Sequence, residues 1–458
     1  MSRLGAQTGP HEPGSQREAP RRQVGVWQAV SVCVGTVIGA GIFRSPAMVA
    51  ANVGSDLVML LAWTFGGVMS LAGALCFAEM AAAFPDAGGD YHFLRRAFGA
   101  RAGFLFAWSR FAVIHTGSMA MLAFVFGDYV GELANLGPHG SSLLAVFVIV
   151  ALAAINLTGL RAGIGTQVGL MVVVFAGLLA VGLAGIALAV QGAPPAAPIG
   201  TGVPEAARVG TALVFVFLAY GGWSDAATLS AEMRDPRRGI TRALVAGMSI
   251  VTALYLLANW AYLRGLGLAG VTASQAPAAD LMLLAFGPAG QACIVAVVAV
   301  TTITSINAVL ITGGRTTYAA ARDTGGLGAL GEWHVVRGTP AWAIIAISIV
   351  ALLLVGLGTW TRSGFATMVD FLSPVYWFFL TLSGAALVVL RRRFPDAPRP
   401  FRVPGYPWLP IAFMATSAYM VYASVAYVRI GTIFGIAILL AGLVLLVALE
   451  WHARVRPR

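Results

Sequence analysis

Twelve apolar stretches, each close to the ~20 residues that a helix needs to cross about 30 Å of hydrocarbon, narrow this chain to one kind of architecture. They run at roughly 25–50, 55–84, 103–130, 142–160, 164–190, 210–233, 240–263, 289–320, 340–357, 365–390, 407–428 and 431–451. Continuous apolar runs of that length read as transmembrane helices, because a helix satisfies its own backbone hydrogen bonds where no water can. The expected fold class is therefore an all-α polytopic membrane protein. Composition decides against the soluble alternative: only 10% of the 458 residues are charged, where a soluble domain carries about a quarter.

The few charges are placed systematically. All 29 basic residues are arginine. With the N-terminus in the cytoplasm, 23 of them fall in inner segments, from Arg3 to Arg458, while Arg208, Arg264, Arg362 and Arg429 fall outside and Arg44 and Arg110 lie within spans. This asymmetry places both termini in the cytoplasm, as expected for a multi-pass protein of the cell inner (plasma) membrane in contact with lipid. It also accounts for the net charge of +11 without a nucleic-acid partner. Residues 1–23, polar and rich in Gly, Pro and Arg, read as a disordered cytoplasmic tail, and residues 452–458 as a short second tail. Cys33, Cys76 and Cys293 are far apart and inside apolar runs, which gives no disulfide framework and no metal spacing. The histidines at 11, 92, 115, 139, 334 and 452 are equally scattered, which weighs against a membrane enzyme. No repeated pore loop or ring of like charges suggests a channel.

The first span is interrupted. In GTVIGAGIFRSP, Gly35, Gly39 and Gly41 each weaken a helix by about 1 kcal/mol relative to alanine. Alone, this reads either as a packing face of small residues or as a break whose freed backbone groups hold a ligand. The sixth span, FVFLAYGGWSDAATLSAEMRDP, has its own break at Gly221 and Gly222. The breaks sit five spans apart, and with five spans per repeat the second copy would be inserted upside down relative to the first. Paired interruptions at corresponding positions mark the substrate site of an inverted-repeat transporter, so the two breaks should meet near the midplane.

Four separated motifs, GTVIGAGIFRSP, FAEMAAAFPDAGGDYHFLRRAFG, FLAYGGWSDAATLSAEMRDP and GGRTTYAAARD, resemble those of the amino acid–polyamine–organocation superfamily. The likeness is greatest to its L-type amino acid transporter branch and covers about residues 24–450. It implies the LeuT-type fold, with 12 transmembrane helices, a 5+5 inverted repeat (24–190 and 209–392) followed by helices 11 and 12 at 406–451, broken helices 1 and 6, and alternating access to a central site. It also implies an α-amino acid ligand. Helix-end N–H groups favour a carboxylate, so those of Ala40, Gly41 and Ile42 would hold it, while the carbonyls of Val37, Leu218 and Gly221 would accept from the ammonium. Tyr220 and Trp223 would shape the pocket. Leu218 stands where L-type members usually have a phenylalanine lid, and Ser224-Asp225 where they have Asn-Tyr. An acid at Asp225 costs of order 2.5–3.5 kcal/mol on insertion scales, and several readings stay open: a gate pair with Arg44, a contact for a cationic substrate, a proton carrier, or a group solvated in a vestibule.

Coupling is the second matter on which the resemblance bears. Many sodium-independent relatives carry a lysine in span five, where this chain has Val174 and no lysine anywhere. In span eight, Thr301, Thr304 and Ser305 occupy the places that bind sodium in coupled members, so the carbonyls of Gly35, Ile38 and Thr301 with the hydroxyls of Thr304 and Ser305 form a candidate sodium site; no other cofactor is implied. Glu79 and Glu232 are expected to pair with cytoplasmic arginines such as Arg95, Arg96 or Arg237. Arg110 and His115 are candidates to line a vestibule. The segment between spans three and four has no cysteine, so no disulfide-linked companion subunit is expected. The reading is a permease or exchanger, not an enzyme, for small or medium neutral L-amino acids. The alternative is a cationic amino acid or polyamine transporter with Asp225 reading the positive group.

Overall fold

The computed structural model describes residues 25–85, 89–134, 136–158, 164–191, 206–226, 233, 236–324, 328–334, 339–361, 364–427 and 429–455. Every structural statement below concerns these residues. The two tails, apart from 452–455, fall outside them, as do Glu232 and the side chains of Asp225 and Arg237.

The described chain is almost wholly helical. A bent pair opens it, α1 (Val26–Val37) and α2 (Gly41–Ala50), whose axes differ by 47°. Then come α3 (Asp56–Ala83), α4 (Asp90–Phe98), α5 (Ala100–Ser109), α6 (Thr116–Ala134), α7 (Gly140–Leu157) and α8 (Ile164–Val190). The second break separates α9 (Ala206–Ala219) from the single turn α10 (Trp223–Ala226). The chain continues through α11 (Pro236–Ala273), α12 (Pro277–Thr324), α13 (Ala341–Trp360), α14 (Gly364–Arg393), α15 (Trp408–Tyr427) and α16 (Arg429–Val455). Nine of the described helical stretches are long and apolar enough to cross a membrane, ten if the bent pair is one span. The apolar helices Arg208–Ala219 and Ile433–Ala448 are shorter.

Local sequence explains where elements start and bend. Ser55 caps α3 by accepting from the Val58 N–H at 3.3 Å, and the helix stops just before Pro85. In α4 the residues Phe93, Leu94 and Ala97 are buried while Arg95 and Arg96 are exposed, the spacing of an amphipathic surface helix. Between α5 and α6, Arg110–His115 form a π-helical turn, a widening that often marks functional sites.

Lipid tails give helices no hydrophobic reason to associate, so close approach through small residues does the work. On α3, a Cβ at Gly66 would come within 2.4 Å of the Val216 side chain of α9, and one at Gly67 within 2.5 Å of Thr252 of α11. These glycines let α9 and α11 sit directly on α3. Behind the breaks, Trp63, Tyr220 and Tyr255 form a buried aromatic cluster with ring centroids 4.9–5.9 Å apart, a geometry worth about 0.5–1.5 kcal/mol per pair beyond burial.

Candidate functional site

The two helix breaks touch. At the second, Gly222 has φ 97°, and a Cβ there would lie 2.4 Å from the Thr36 carbonyl oxygen at the end of α1. No other residue suits that place, since the conformation disfavours a side chain and the neighbouring carbonyl leaves no room for one. On the other side of the crossing, Gly41 at the start of α2 packs on Ala219, the last residue of α9, with 3.4 Å from its would-be Cβ to the Ala219 Cα. Thus α1 runs beside α10 and α2 beside α9.

A cavity of 760 Å³ opens at this junction, within the range of small-molecule sites. Its backbone wall consists of Val37, Ile38, Gly39 and Gly41 from the first break with Leu218, Ala219, Gly221, Gly222 and Ser224 from the second. Gly39 has nothing within 4 Å of its would-be Cβ, so its main chain borders open space. Of the N–H groups at the start of α2, that of Phe43 donates to the Ala40 carbonyl at 3.1 Å, while Gly41 lines the cavity at a helix end, where N–H groups lack an intrahelical partner. The apolar wall includes Leu122, Val309, Leu372, Phe379 and Leu380. Towards the arginine-rich face the lining reaches Asp90, Tyr91, Arg110 and Arg315. Arg110 Nε donates to His115 Nε2 at 3.3 Å across the π turn, so both residues border the vestibule.

The opposite end is sealed. Arg44 on α2 is 4% exposed. Its Nε lies 3.3 Å from Asp128 Oδ2 of α6, its Nη1 donates to the Ser274 carbonyl at 3.1 Å, and its Nη2 donates to Gln275 Oε1. Asp128 also accepts from the Ser141 hydroxyl at 2.6 Å, and the Tyr129 hydroxyl donates to the Phe43 carbonyl at 2.7 Å. One guanidinium therefore ties α2 to α6 and to the turn between α11 and α12.

Several expectations change here. The partner of Arg44 is Asp128, not Asp225: Asp225 sits on α10, beside α1, whereas Arg44 sits on α2, across the crossing. Tyr220 and Trp223 turn away from the cavity. The Tyr220 hydroxyl donates to the Trp63 carbonyl at 3.0 Å, and the Trp223 ring packs edge-on against Phe77 at 5.0 Å. Ala40 and Ile42 are fully buried and do not line the cavity. Of the three carbonyls assigned to an ammonium, Val37 already accepts from the Gly39 N–H at 2.8 Å and from the Tyr255 hydroxyl at 3.0 Å, which uses both of its lone pairs. The Leu218 carbonyl accepts from the Gly221 N–H at 3.0 Å. Glu79 pairs with arginines of the inner segments as expected, though with Arg391 and Arg399 and not with Arg95 or Arg96. It is held by Arg391 of α14 in a two-pronged pair, by Arg399 at 3.5 Å and by the Val403 N–H at 2.7 Å.

Gly35 and Ile38 on α1 and Thr301, Thr304 and Ser305 on α12 all border the cavity, as does Val174 of α8. The Thr301 and Thr304 hydroxyls donate to the Val297 and Val300 carbonyls, both at 2.7 Å. That leaves the oxygen lone pairs as acceptors. Together with the main-chain carbonyls these are the neutral oxygens of the candidate ion set. Among the described residues no group of three or more His, Cys, Asp or Glu is placed to hold a metal ion.

Two residues that tie the site together were missed from sequence. Asp128 lies in the third span, and an acid there is itself a flag for a buried partner of Arg44. Tyr255 carried no such flag, since a tyrosine in a membrane helix reads first as packing.

Helices, crossed breaks and an internal chamber open at one end together define a multi-pass membrane carrier for a small ligand. The chain belongs to the amino acid permease family, whose model matches residues 24–449. It is 29% identical over 435 residues to the large neutral amino acids transporter small subunit 2 of Mus musculus, covering 93% of this chain and 80% of that protein. It is 28% identical over 411 residues to the mouse b(0,+)-type amino acid transporter 1, covering 88% and 83%. To the human cystine/glutamate transporter it is 28% identical over 436 residues, covering 94% and 85%. These are transporters and not enzymes, and amino acid transport is the activity they have in common.

Proposed function

We propose that this protein is a secondary active transporter that moves small or medium neutral L-amino acids by alternating access. The observation that carries the reading is the meeting of the two breaks, Gly222 on Thr36 and Gly41 on Ala219, at the wall of one cavity. The amino acid carboxylate would lie against Gly41 at the start of α2, in the positive field of a helix N-terminus. The ammonium would lie towards the break carbonyls, with Gly221 the better acceptor because Val37, Leu218 and Ala219 already accept bonds from within the protein. The side chain would then face Leu122, Leu372, Phe379 and Leu380.

Charge supports the neutral class over the cationic one. The described lining carries Arg110 and Arg315 against the single acid Asp90, a vestibule that repels a second positive charge on the ligand. Twelve spans in two inverted repeats, 24–190 and 209–392, with both termini in the cytoplasm of a plasma-membrane permease, complete the reading. The Arg44–Asp128 tie serves as the gate of the sealed face. Sodium would bind Gly35, Ile38, Thr301, Thr304 and Ser305, with Val174 leaving no stand-in cation. The protein works without a disulfide-linked companion chain.

Purified protein in proteoliposomes tests this. Uptake of a labelled neutral amino acid is expected to be competed by alanine and leucine. Competition by arginine or putrescine alone sinks the neutral reading, and uptake unchanged when choline replaces sodium sinks the coupling.

A further inference from the structure

The helix at the open mouth of the cavity is fastened by an arginine that lies outside the cavity. Helix α4 bears Asp90 and Tyr91, both in the lining at the arginine-rich face. Near its other end the Arg96 guanidinium lies over two aromatic rings at once, its carbon 4.5 Å from the centre of the Phe84 ring and 4.6 Å from that of Phe394. The two rings are themselves edge-on at 5.8 Å. Phe84 follows the last residue of α3 and Phe394 the last residue of α14, so one side chain joins three helices. Neither Arg96 nor the rings that hold it line the cavity.

The rest of the seat leaves α4 one freedom. Phe93 and Leu94 bury its apolar face, and burial of that kind has no direction. Towards α5 the fit is close, since a Cβ at Gly103 would come within 3.1 Å of the Arg95 Cβ and 3.2 Å of the Tyr91 ring. Towards α14 the directional contacts are the cation over its two rings and the Arg393 Nη1, which donates to the Arg96 carbonyl at 3.4 Å. That carbonyl is in the last turn of α4, where main-chain oxygens lack intrahelical partners and a cation is favoured. The Glu79–Arg391 pair joins α3 to α14 independently, so the helices that carry the two rings keep their places when Arg96 is replaced.

We propose that Arg96 is a positioning residue for the cavity mouth, whose guanidinium, held by Phe84 and Phe394, fixes α4 against α3 and α14 so that Asp90 and Tyr91 form the rim past which substrate moves at the arginine-rich face. The proposal rests on the amino acid carrier reading. Arg96 does not touch substrate; it sets the place of the residues that border its path. Because α4 borders this mouth alone, loosening it alters binding from one side of the membrane. The sealed end, at Arg44, Asp128 and Ser274, is built from other helices.

Uptake of one labelled neutral amino acid into right-side-out and everted membrane vesicles, which present opposite faces of the protein to the label, tests this together with thermal unfolding of the purified variants. Arg96→Gln is expected to raise KM about tenfold, the scale of two cation–π contacts, when the amino acid meets the arginine-rich face, and to leave KM unchanged from the opposite face. Arg96→Lys, which keeps a cation over the rings, should recover most of the loss. Phe394→Leu, which removes one ring and leaves Arg96 in place, should give a smaller rise on the same side. An equal change in KM from both faces in Arg96→Gln overturns the proposal, as does no change from either. A fall in melting temperature without the one-sided rise also overturns it, because the contact would then serve the fold. Should Arg96→Gln fail to fold, Phe394→Leu decides, and an unaltered KM at the arginine-rich face overturns the proposal. If the unaltered protein takes up no amino acid from either face, it is the carrier reading that fails.

Discussion

The two ends of the cavity are each held by arginine and a carboxylate, but the two clusters are built differently. At the arginine-rich face, Glu79 is 1% exposed and takes two-pronged bonds from Arg391, a third contact from Arg399 and a main-chain bond from Val403. This saturates the carboxylate and joins α3 to α14 and the segment after it. None of these groups lines the cavity. At the opposite face Arg44 makes one contact of 3.3 Å with Asp128 and spreads its other donors over a carbonyl and an amide. That cluster sits on the half-helix α2, beyond Gly41. A saturated carboxylate between long helices acts as a clamp. A single guanidinium that meets one carboxylate through one contact and otherwise neutral acceptors, on a short segment beyond a break, is suited to let go.

The comparison can be broken in graded steps. Glu79→Gln should have the largest effect, because Arg391 and Arg399 lose the counter-charge of a carboxylate that is 1% exposed, and breaking a buried pair from one side costs about 3–5 kcal/mol. Loss of folded protein or a large fall in melting temperature is expected; an unchanged melting temperature would remove the distinction between clamp and gate. Next is Gly222→Ala. Its φ of 97° and the Thr36 oxygen 2.4 Å away leave no relaxed position for a methyl, a strain of about 1–3 kcal/mol or more. Uptake should fall at least tenfold, more than in Gly41→Ala, where the nearest atom is 3.4 Å away.

Asp128→Asn should act more gently and on one end only. It removes the charge opposite Arg44 but leaves the Ser274 and Gln275 acceptors, so the sealed state should weaken by about 1–2 kcal/mol with little change in melting temperature. Arg44→Asp should impair exchange, and combining it with Asp128→Arg should recover part of it. Combining Arg44→Asp with Asp225→Arg should recover none. The smallest effect is expected for Thr304→Val, which deletes one neutral oxygen from the candidate ion set: a severalfold rise in the sodium concentration for half-maximal uptake, with no effect on folding.

Sequence carried much of this architecture and only part of the site. Three glycines in GTVIGAGIFRSP and two in LAYGGW located both breaks, because a helix interruption in lipid is visible in one dimension. Their meeting followed from symmetry, and Gly222 against Thr36 is the contact that realises it. Side-chain direction was another matter. Tyr220 and Trp223 sit beside the double glycine but point into α3 and its aromatic neighbours, and no period predicts orientation where the helix itself is interrupted. Ion pairs were missed for a similar reason. Arg44 and Glu79 were correctly flagged as charges needing partners, but those partners, Asp128 and Arg391, lie 84 and 312 residues away along the chain. Choosing among candidate charges needs the crossing of α1–α2 with α9–α10, which assigns Arg44 and Asp225 to opposite sides.

The central claim is that Gly39 borders a substrate chamber open to the arginine-rich face and closed at Arg44. Gly39→Cys tests it directly, since a side chain there meets nothing within 4 Å. Cys33 and Cys76 are buried, and the exposed Cys293 can be replaced by serine. A membrane-impermeant thiol reagent should label Gly39→Cys from the arginine-rich side, and a saturating neutral amino acid should slow that labelling. Labelling only from the opposite side, or at a rate that the amino acid leaves unchanged, would contradict the account.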